Sequence, residues 1–306
     1  MTSKREEKLS YAALVMPALI IYLAVVTFPI IFSVLLSLSN YNGGKIFEVV
    51  GNRIVINPNI KFVGLKSYKF MLTEPTGNFY ISLKNNMLIV AVSVFGQIPL
   101  GFTLAYILNQ KFINGSKFFQ ALIYLPNVIS PIIIGIIFKS IYYGQNSVYM
   151  EIVRWFKPGA DFIIGSQPMI PVLVVILWMY TGFYMIIFLA NLQRIDPQII
   201  EAARIDGAKE SQILVYILLP ALFGVIVTCS ILAITGSLRS FDIVYAMTNG
   251  GPANLTRVLS LHMYFMAFIG APNYPLANAI STVMILISFI LIIVVRVVEK
   301  IISVKE

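Results

Sequence analysis

Long runs of apolar residues without a charged side chain make up most of the sequence, and charged residues lie in the segments between them. A helix needs roughly 20 apolar residues to cross the hydrocarbon core of a bilayer. Six charge-free runs reach that length, so the pattern predicts six membrane-spanning helices. The predicted spans lie near residues 12–37, 86–109, 120–141, 169–192, 218–238 and 278–298.

The composition agrees with a membrane as the solvent. Of the 306 residues, 58% are hydrophobic and only 11% are charged. A soluble domain carries about 25% charged residues. A chain with so few charged residues could not hide its apolar surface from water by folding as a soluble globule. We therefore predict an all-α membrane protein. The first apolar run is roughly twice as long as a signal-peptide core, so we expect it to remain as a span.

The distribution of Lys and Arg predicts the orientation of the chain. An even number of spans places both termini on one side, and the short segments on that side hold half of the 22 basic residues. Because basic residues concentrate in short cytoplasmic segments, we expect both termini in the cytoplasm. The predicted parts are a cytoplasmic N-terminus at 1–11, an external loop at 38–85, and a five-span core at 86–300 with a cytoplasmic loop at 194–217. The external sequence "FEVVGNRIVI" predicts short strands.

Local signals in the cytoplasmic loop predict two short helices joined by a glycine. Asp196 can cap a helix that begins at Pro197, because its side chain accepts an unpaired amide hydrogen and proline has none to lose. We expect this helix at 197–206. Gly207 then follows with a positive φ, and a second short helix is predicted at about 208–216.

One face of the first short helix carries small and apolar residues at helical spacing. That face consists of Ile199, Ala202, Ala203 and Asp206. Its alanines would let another protein approach the backbone closely, whereas a solvated helical linker is the alternative interpretation. Downstream, Leu219-Pro220 predicts the entry into the fifth span, since the residue before a proline avoids the α region.

The stretch "EAARIDGAKESQILVYILLP" at 201–220 resembles the cytoplasmic signature of binding-protein-dependent ABC importer permeases. That signature is Glu-Ala-Ala, three residues, Gly, nine residues, Ile, one residue and Leu-Pro. The matching positions are Glu201, Ala202, Ala203, Gly207, Ile217, Leu219 and Pro220. The resemblance implies the ABC type I importer permease fold and a transport role.

Two further stretches resemble the sugar-type permeases of this family. They are "FVGLKSYKFML" at 62–72 and the segment at 240–268, which contains a Thr-x-Gly-Gly-Pro element at 248–252. That element is similar to the one in maltose-permease-type subunits. With six predicted spans, the chain resembles the six-span form of such subunits that is found in sugar and glycerol-phosphate importers. The resemblance extends over residues 12–300, nearly the whole chain.

The resemblance implies a set of partners. They are a second, related permease that forms a heterodimer with this chain, two cytoplasmic ATPase subunits, and an external solute-binding protein. The resemblance also implies that the permease spans a prokaryotic cell membrane and contacts its lipid. In such permeases the cytoplasmic loop docks on the ATPase. The residues assigned to coupling are Ile199, Glu201, Ala202, Ala203, Asp206, Gly207, Leu219 and Pro220. We expect Glu201 and Asp206 to meet basic groups of the ATPase, and Gly207 to set the angle between the short helices.

The end of the fifth span carries small and polar residues on one helical face, next to Arg239 and Asp242. This pattern is compatible with close helix packing or with a cavity. The resemblance favours a solute pathway, and it adds two aromatic residues of the fourth span. The pathway residues are Tyr180, Phe183, Ala233, Gly236, Ser237, Arg239 and Ser240. Arg239 could contact an anionic solute or pair with Asp242.

The sequence contains no catalytic motif. It lacks the glycine-rich phosphate loop of ATPases, so we expect ATP hydrolysis on the partner subunits. His262 is the one histidine. It lies among external apolar residues without an adjacent carboxylate, and we expect it to be interfacial or packed. Cys229 is the one cysteine, so cysteines supply neither an internal disulfide nor a metal site. We expect no cofactor, and no basic cluster indicates nucleic-acid binding.

The predicted function is therefore the permease subunit of an ATP-driven importer for a sugar or oligosaccharide. The same importer class acting on glycerol 3-phosphate or a polyol is the alternative. An ion-coupled secondary transporter is a rival from another class, but it would usually need an acid within a span, and the six charge-free runs have none. A membrane scaffold without transport is the last alternative.

Overall fold

The computed structural model describes residues 4–50, 53–110, 115–143, 147–156 and 168–303. Lys111 and Lys305 are two of the basic residues on which the predicted orientation is based, and both lie outside the described residues. Within them, four helices are long and apolar enough to cross a membrane, and two bent helix pairs bring the number to six if each pair is one span. The four helices are Ser10–Ser37, Asn78–Leu108, Met169–Leu192 and Tyr274–Ile302.

The chain divides into two compact units. The first comprises residues 1–76 and 262–284. It contains the first span, which lies within a longer helical segment built of Lys4–Tyr22, the π turn Leu23–Thr27 and Phe28–Ser37. It also contains the helix Lys66–Thr73 and an antiparallel hairpin. The strands of the hairpin, Phe47–Val50 and Arg53–Ile56, lie in the sequence where short strands are predicted. The helix Leu259–Phe268 lies mostly in the second segment of this unit, and the helix Tyr274–Ser303 begins in that segment and continues beyond it.

Polar contacts link the two segments of the first unit. Ser33 Oγ donates to Asn278 Oδ1 at 2.6 Å, and the rings of Tyr41 and Tyr274 are 5.7 Å apart. His262 is fully buried, so it is packed rather than interfacial, and in the fold a carboxylate does lie beside it. Its Nε2 lies 3.9 Å from Glu74 Oε2.

The second unit comprises residues 77–261 and 285–306, and the fourth span lies at its centre. Over half of the residues in the most apolar 18-residue window of this span are buried, whereas none are buried in the corresponding window of the first span. The second span packs along the fourth, together with the third. Gly182 permits the closest approach, because a Cβ built there would lie 2.3 Å from the carbonyl oxygen of Ile123. The remaining helices of this unit are Val148–Phe156, Pro197–Ile205, Glu210–Ala221, Phe223–Leu238 and Asp242–Thr248.

The third span differs from the prediction of one continuous helix at 120–141. It consists of Ser116–Val128 and Pro131–Tyr142, which meet at an angle of 91°. The two residues between them are extended, with ψ of 141° at Ile129 and 128° at Ser130. Pro131 is the physical reason, because its ring disfavours the α region for the residue before it.

The entry into the fifth span also differs from the prediction. Leu219 is helical, with φ −63° and ψ −45°, and Pro220 lies inside Glu210–Ala221. The chain bends by 66° only at Leu222, before Phe223–Leu238. The predicted boundary at Leu219-Pro220 is therefore wrong, because a π turn accommodates the proline within the helix.

All three described π turns that lie in apolar helices share one relation to proline. They are Leu23–Thr27, Ser93–Gln97 and Leu214–Leu218, and each begins six residues before Pro29, Pro99 or Pro220. Proline has no N–H for the carbonyl four residues earlier, and its ring collides with that carbonyl in a regular helix. A wider turn ahead of the proline relieves that collision while keeping the segment helical.

Candidate functional site

The segment 196–220, which we call the coupling segment, begins with the predicted cap. Asp196 has an extended backbone, and its Oδ1 accepts the N–H of Gln198 at 2.9 Å. The helix that follows is Pro197–Ile205, one residue shorter than predicted. Gly207 has a φ of +84°, as predicted.

Backbone hydrogen bonds around Gly207 form a complete Schellman motif. The N–H of Gly207 donates to the carbonyl of Arg204 at 3.1 Å, and the N–H of Ala208 donates to the carbonyl of Ala203 at 2.9 Å. This is the pairing that ends a helix at a left-handed residue. Since residues 207 and 208 close the first helix, the second begins at Glu210 rather than at 208.

The exposed face of the helix Pro197–Ile205 differs in part from the predicted one. Ile199, Ala202 and Asp206 are exposed, but Ala203 is half-buried and packs on the chain's own apolar core. The predicted face did not include Ile205, which is 86% exposed and is the largest apolar contribution to this surface. Periodicity alone could not distinguish the face that packs on the chain from the face that is free.

An ionic contact connects the two helices of the coupling segment. Arg204 Nε lies 2.7 Å from Glu210 Oε1, and the hydroxyl of Tyr106 donates to Glu210 Oε2 at 3.2 Å. The hydrogen bond between Arg204 and Glu210 and the charge of the carboxylate raise the pKa of Arg204, and the same hydrogen bond lowers the pKa of Glu210, so both groups are ionised at neutral pH. Glu201 lines the adjoining pocket of about 460 Å³, beside Arg204 and Glu210.

The signature residues at the end of the coupling segment contribute to its shape. Leu219 is half-buried and Pro220 is exposed, and both follow the π turn Leu214–Leu218. Ile217 packs on the apolar core. They join the surface helix to the bend at Leu222 and hence to the fifth span.

A cavity of about 420 Å³ lies among the second, third, fourth and fifth spans. Every predicted pathway residue lines it: Tyr180, Phe183, Ala233, Gly236, Ser237, Arg239 and Ser240. Gly236 leaves its wall open, because a Cβ built there meets no atom within 4 Å. Aromatic rings, hydroxyl groups and a cation therefore face one space of the size used for small ligands.

The charged residues of the cavity do not pair with each other. Arg239 and Asp242 are exposed and both line the cavity, but the ion pairs formed by the described residues do not include these two. Of the two alternatives for Arg239, pairing with Asp242 is therefore not observed among the described residues. The reason is local: the helix ends at Leu238, and a new helix begins at Asp242.

Two other spans contribute polar residues to the cavity that the predicted pathway did not include. Ser93 and Gln97 of the second span and Asn127 of the third also line the cavity. Polar residues within a predicted span were the signal that could have found them, because such residues usually face a partner or a cavity. Among the described residues, no group of three His, Cys, Asp or Glu side chains is arranged to hold a metal ion.

Several known proteins are similar to this chain in sequence or in fold. The family model of the binding-protein-dependent transport system inner membrane component matches residues 88–304. The multiple sugar-binding transport system permease protein MsmF of Streptococcus mutans is 34% identical over 75% of this chain and 78% of its own. The lactose transport system permease protein LacF of Rhizobium radiobacter is 31% identical over 90% of this chain and 89% of its own.

A solved structure agrees over nearly the full length. A chain of a bacterial ABC transporter that imports the acidic polysaccharide alginate superimposes with a TM-score of 0.76 and 19% identity. The match covers 97% of this chain and 96% of that one. The same type of transporter has been solved in complex with a periplasmic protein that holds an alginate pentasaccharide. The predicted all-α permease fold is thereby confirmed.

Proposed function

We propose that the chain, which belongs to the family of binding-protein-dependent transport system inner membrane components, carries a sugar or an oligosaccharide across a prokaryotic cell membrane. An external binding protein delivers the solute, and two cytoplasmic ATPase subunits supply the energy. A second, related permease completes the pathway. Both termini of this chain lie on the cytoplasmic side, with the coupling segment.

The cavity carries the proposal. Two rings of the fourth span, Tyr180 and Phe183, and the small polar end of the fifth span line one space. Aromatic faces stack on the apolar faces of sugar rings, and hydroxyl groups exchange hydrogen bonds with sugar hydroxyls. The names of relatives such as the lactose and multiple-sugar permeases favour the same class of solute.

The coupling segment supports the ATP-driven mechanism. Ile199, Ala202 and Ile205 present an exposed apolar face on a short, well-capped helix. Burial of such a face against a partner is favourable, because apolar surface leaves water. A rigid helix that follows its partner moves the bend at Leu222 and the fifth span with it. Asp206 lies at the end of this face, where it meets basic groups of the ATPase, and Glu201 lies beside the Arg204–Glu210 pair.

The test is uptake by the complete importer, co-purified with its partner subunits and reconstituted in vesicles containing ATP. The solutes are radiolabelled lactose and an oligogalacturonate, each delivered by the loaded binding protein. We expect ATP-dependent uptake of at least one of them. Tyr180→Leu should lower it by about tenfold, the effect of about 1.4 kcal/mol of lost solute contact. Wild-type vesicles that import neither solute, or uptake driven by an ion gradient without ATP, would contradict the proposal.

An anionic solute is the second candidate. Arg239 lines the cavity without pairing with Asp242, and one relative is named as a permease for polygalacturonan and rhamnogalacturonan. Arg239→Gln should then lower oligogalacturonate uptake and spare lactose uptake. Equal effects on the uptake of both solutes would show that Arg239 does not recognise the negative charge, and a neutral sugar would then remain the proposed solute class. Glycerol 3-phosphate in the same assay tests the phosphate alternative.

A further inference from the structure

The second span contains a π turn beside the cavity. In the turn Ser93–Gln97, the N–H of Ile98 donates to the carbonyl of Ser93, five residues earlier. Pro99 explains the turn, because proline has no N–H to donate to the carbonyl of Phe95, four residues earlier. Single π turns inside α-helices are rare, and they are frequently found at functional sites.

The first and last residues of this turn are polar and almost fully buried. Ser93 is 3% exposed and Gln97 is 1% exposed, yet both line the cavity of about 420 Å³. Polar side chains within a span are costly unless they meet a polar partner or a cavity. The turn thus places two polar groups at the wall where the proposed function needs them.

The same two side chains tie the second span to the fourth and fifth spans, which form two other walls of the cavity. Gln97 Nε2 donates to the carbonyl of Ile176 in the fourth span at 2.8 Å. Ser237 Oγ, in the fifth span, forms a hydrogen bond of 3.0 Å with Ser93 Oγ. Asn86 of the second span adds a bond of 2.9 Å from its Nδ2 to the carbonyl of Ser237.

Helix packing alone does not account for an amide at position 97. Gly96 already provides the close approach to the fourth span, since a Cβ built there would lie 3.0 Å from Leu177 Cδ1. A primary amide carries both donors and an acceptor. Gln97 uses a donor on Ile176, and the described residues give no hydrogen bond to its Oε1.

We propose that Gln97 is a specificity-determining contact, whose amide oxygen accepts a hydroxyl group of the solute, and that Ser93 positions the hydroxyl of Ser237 at the cavity wall. The solute class is a polyhydroxylated molecule, and this inference rests on the proposed function. The second span thereby takes part in solute recognition together with the fourth and fifth spans.

The test measures solute molecules imported per ATP hydrolysed, in vesicles that hold the complete importer and saturating loaded binding protein. Gln97→Met keeps the length and shape of the side chain but removes the amide. It should lower the ratio by about tenfold, which corresponds to about 1.4 kcal/mol of lost solute contact. Ser93→Ala should lower it by about threefold, since it removes one hydrogen bond of modest strength.

Thr103→Val is the matched control. Thr103 lies on the same span outside the cavity, and its hydroxyl bonds to the carbonyl of Pro99. This variant should keep the wild-type ratio. A purely structural role of Gln97 would lower uptake and ATP hydrolysis together, so an unchanged ratio in Gln97→Met overturns the inference. If Gln97→Met does not assemble, an unchanged ratio in Ser93→Ala overturns it instead.

The outcomes separate this inference from the proposed function. Normal sugar uptake that Tyr180→Leu impairs and Gln97→Met does not would overturn the specificity role of Gln97 alone. Wild-type vesicles that import neither lactose nor an oligogalacturonate would overturn the proposed function, and the inference with it.

Discussion

The coupling segment and the cavity are built from different kinds of contact. In the coupling segment the hydrogen bonds that set its shape are local: Asp196 bonds to Gln198, and Gly207 to Arg204. In the cavity they join distant parts of the chain: the Gln97–Ile176 bond spans 79 residues, and the Ser237–Ser93 bond spans 144. The first region therefore has a shape that a short sequence determines, whereas the second exists only after the spans have packed.

This difference predicts how each region fails. A substitution that disturbs a packed contact between spans should prevent the unit from forming. A substitution in the coupling segment should leave the spans folded and change only how motion passes through it. The variants below test that division, beginning with the largest expected effect.

Gly182→Ala should be the most damaging substitution. Its Cβ would lie 2.3 Å from the carbonyl oxygen of Ile123, on the helix that carries Asn127 to the cavity. Neither backbone can yield by an ångström in a close-packed core, so we expect destabilisation of about 3 kcal/mol or more. The measurement is the thermal unfolding midpoint and the yield of the purified complex.

Gly224→Ala is the control for that substitution. It adds the same methyl group to another helical glycine, where nothing lies within 4 Å. Its yield and unfolding midpoint should match those of the wild type. Equal behaviour of the two variants would show that the contact between the third and fourth spans is not tight.

Gly207→Pro should uncouple ATP hydrolysis from uptake while the chain still inserts into the membrane. Proline cannot adopt the φ of +84° at this position, and it removes the N–H that donates to Arg204. Uptake should fall by about 5- to 150-fold, the range of typical coupling free energies. The measurement compares uptake with ATP hydrolysis in the same vesicles.

Gly207→Asn separates backbone conformation from the loss of glycine itself. Asparagine tolerates the left-handed region better than other residues with side chains, so this variant should retain most of the uptake. Wild-type uptake in Gly207→Pro, or equal losses in both variants, would contradict the role of the glycine angle.

Glu210→Gln should have the smallest effect. It removes the ion pair with Arg204, but both side chains are about half exposed, and exposed pairs contribute little. We expect a small loss of uptake. Uptake should also depend less on salt concentration than in the wild type, because this variant has no ion pair at position 210 for salt to screen.

Glu299→Gln is the matched control for the ion pair. It removes a similar surface pair with Arg296, at 2.8 Å, outside the coupling segment. Uptake and its salt dependence should remain as in the wild type. If Glu299→Gln reduced uptake as much as Glu210→Gln, the Arg204–Glu210 contact would have no special part in coupling.

Predictability from sequence follows the same division between local and distant contacts. The fourth span was predicted at 169–192, and Met169–Leu192 is observed, because apolar length is a property of one segment. The cap at Asp196 and the glycine at 207 were predicted for the same reason. Pro131 broke a predicted span, and Pro220 did not, because a π turn precedes the second proline and not the first.

What escaped prediction depends on neighbours that are distant in sequence. The carboxylate of Glu74 lies beside His262, although 188 positions separate them, and nothing in the local sequence of either residue indicates the contact. The same holds for Gln97, whose partner Ile176 belongs to another span. Ala203 was placed on the outer face because helical periodicity does not reveal which side meets the core.

The most direct test of the central claim is a cross-link from the coupling segment to the ATPase. A photo-reactive amino acid in place of Ile205, and separately in place of Ala203, is introduced into the assembled importer, which is then illuminated. Ile205 is 86% exposed, whereas Ala203 packs on the core of this chain. The account predicts a cross-link to the ATPase subunit from position 205 and none from position 203. Failure of position 205 to reach the ATPase, in an importer that takes up solute, would contradict it.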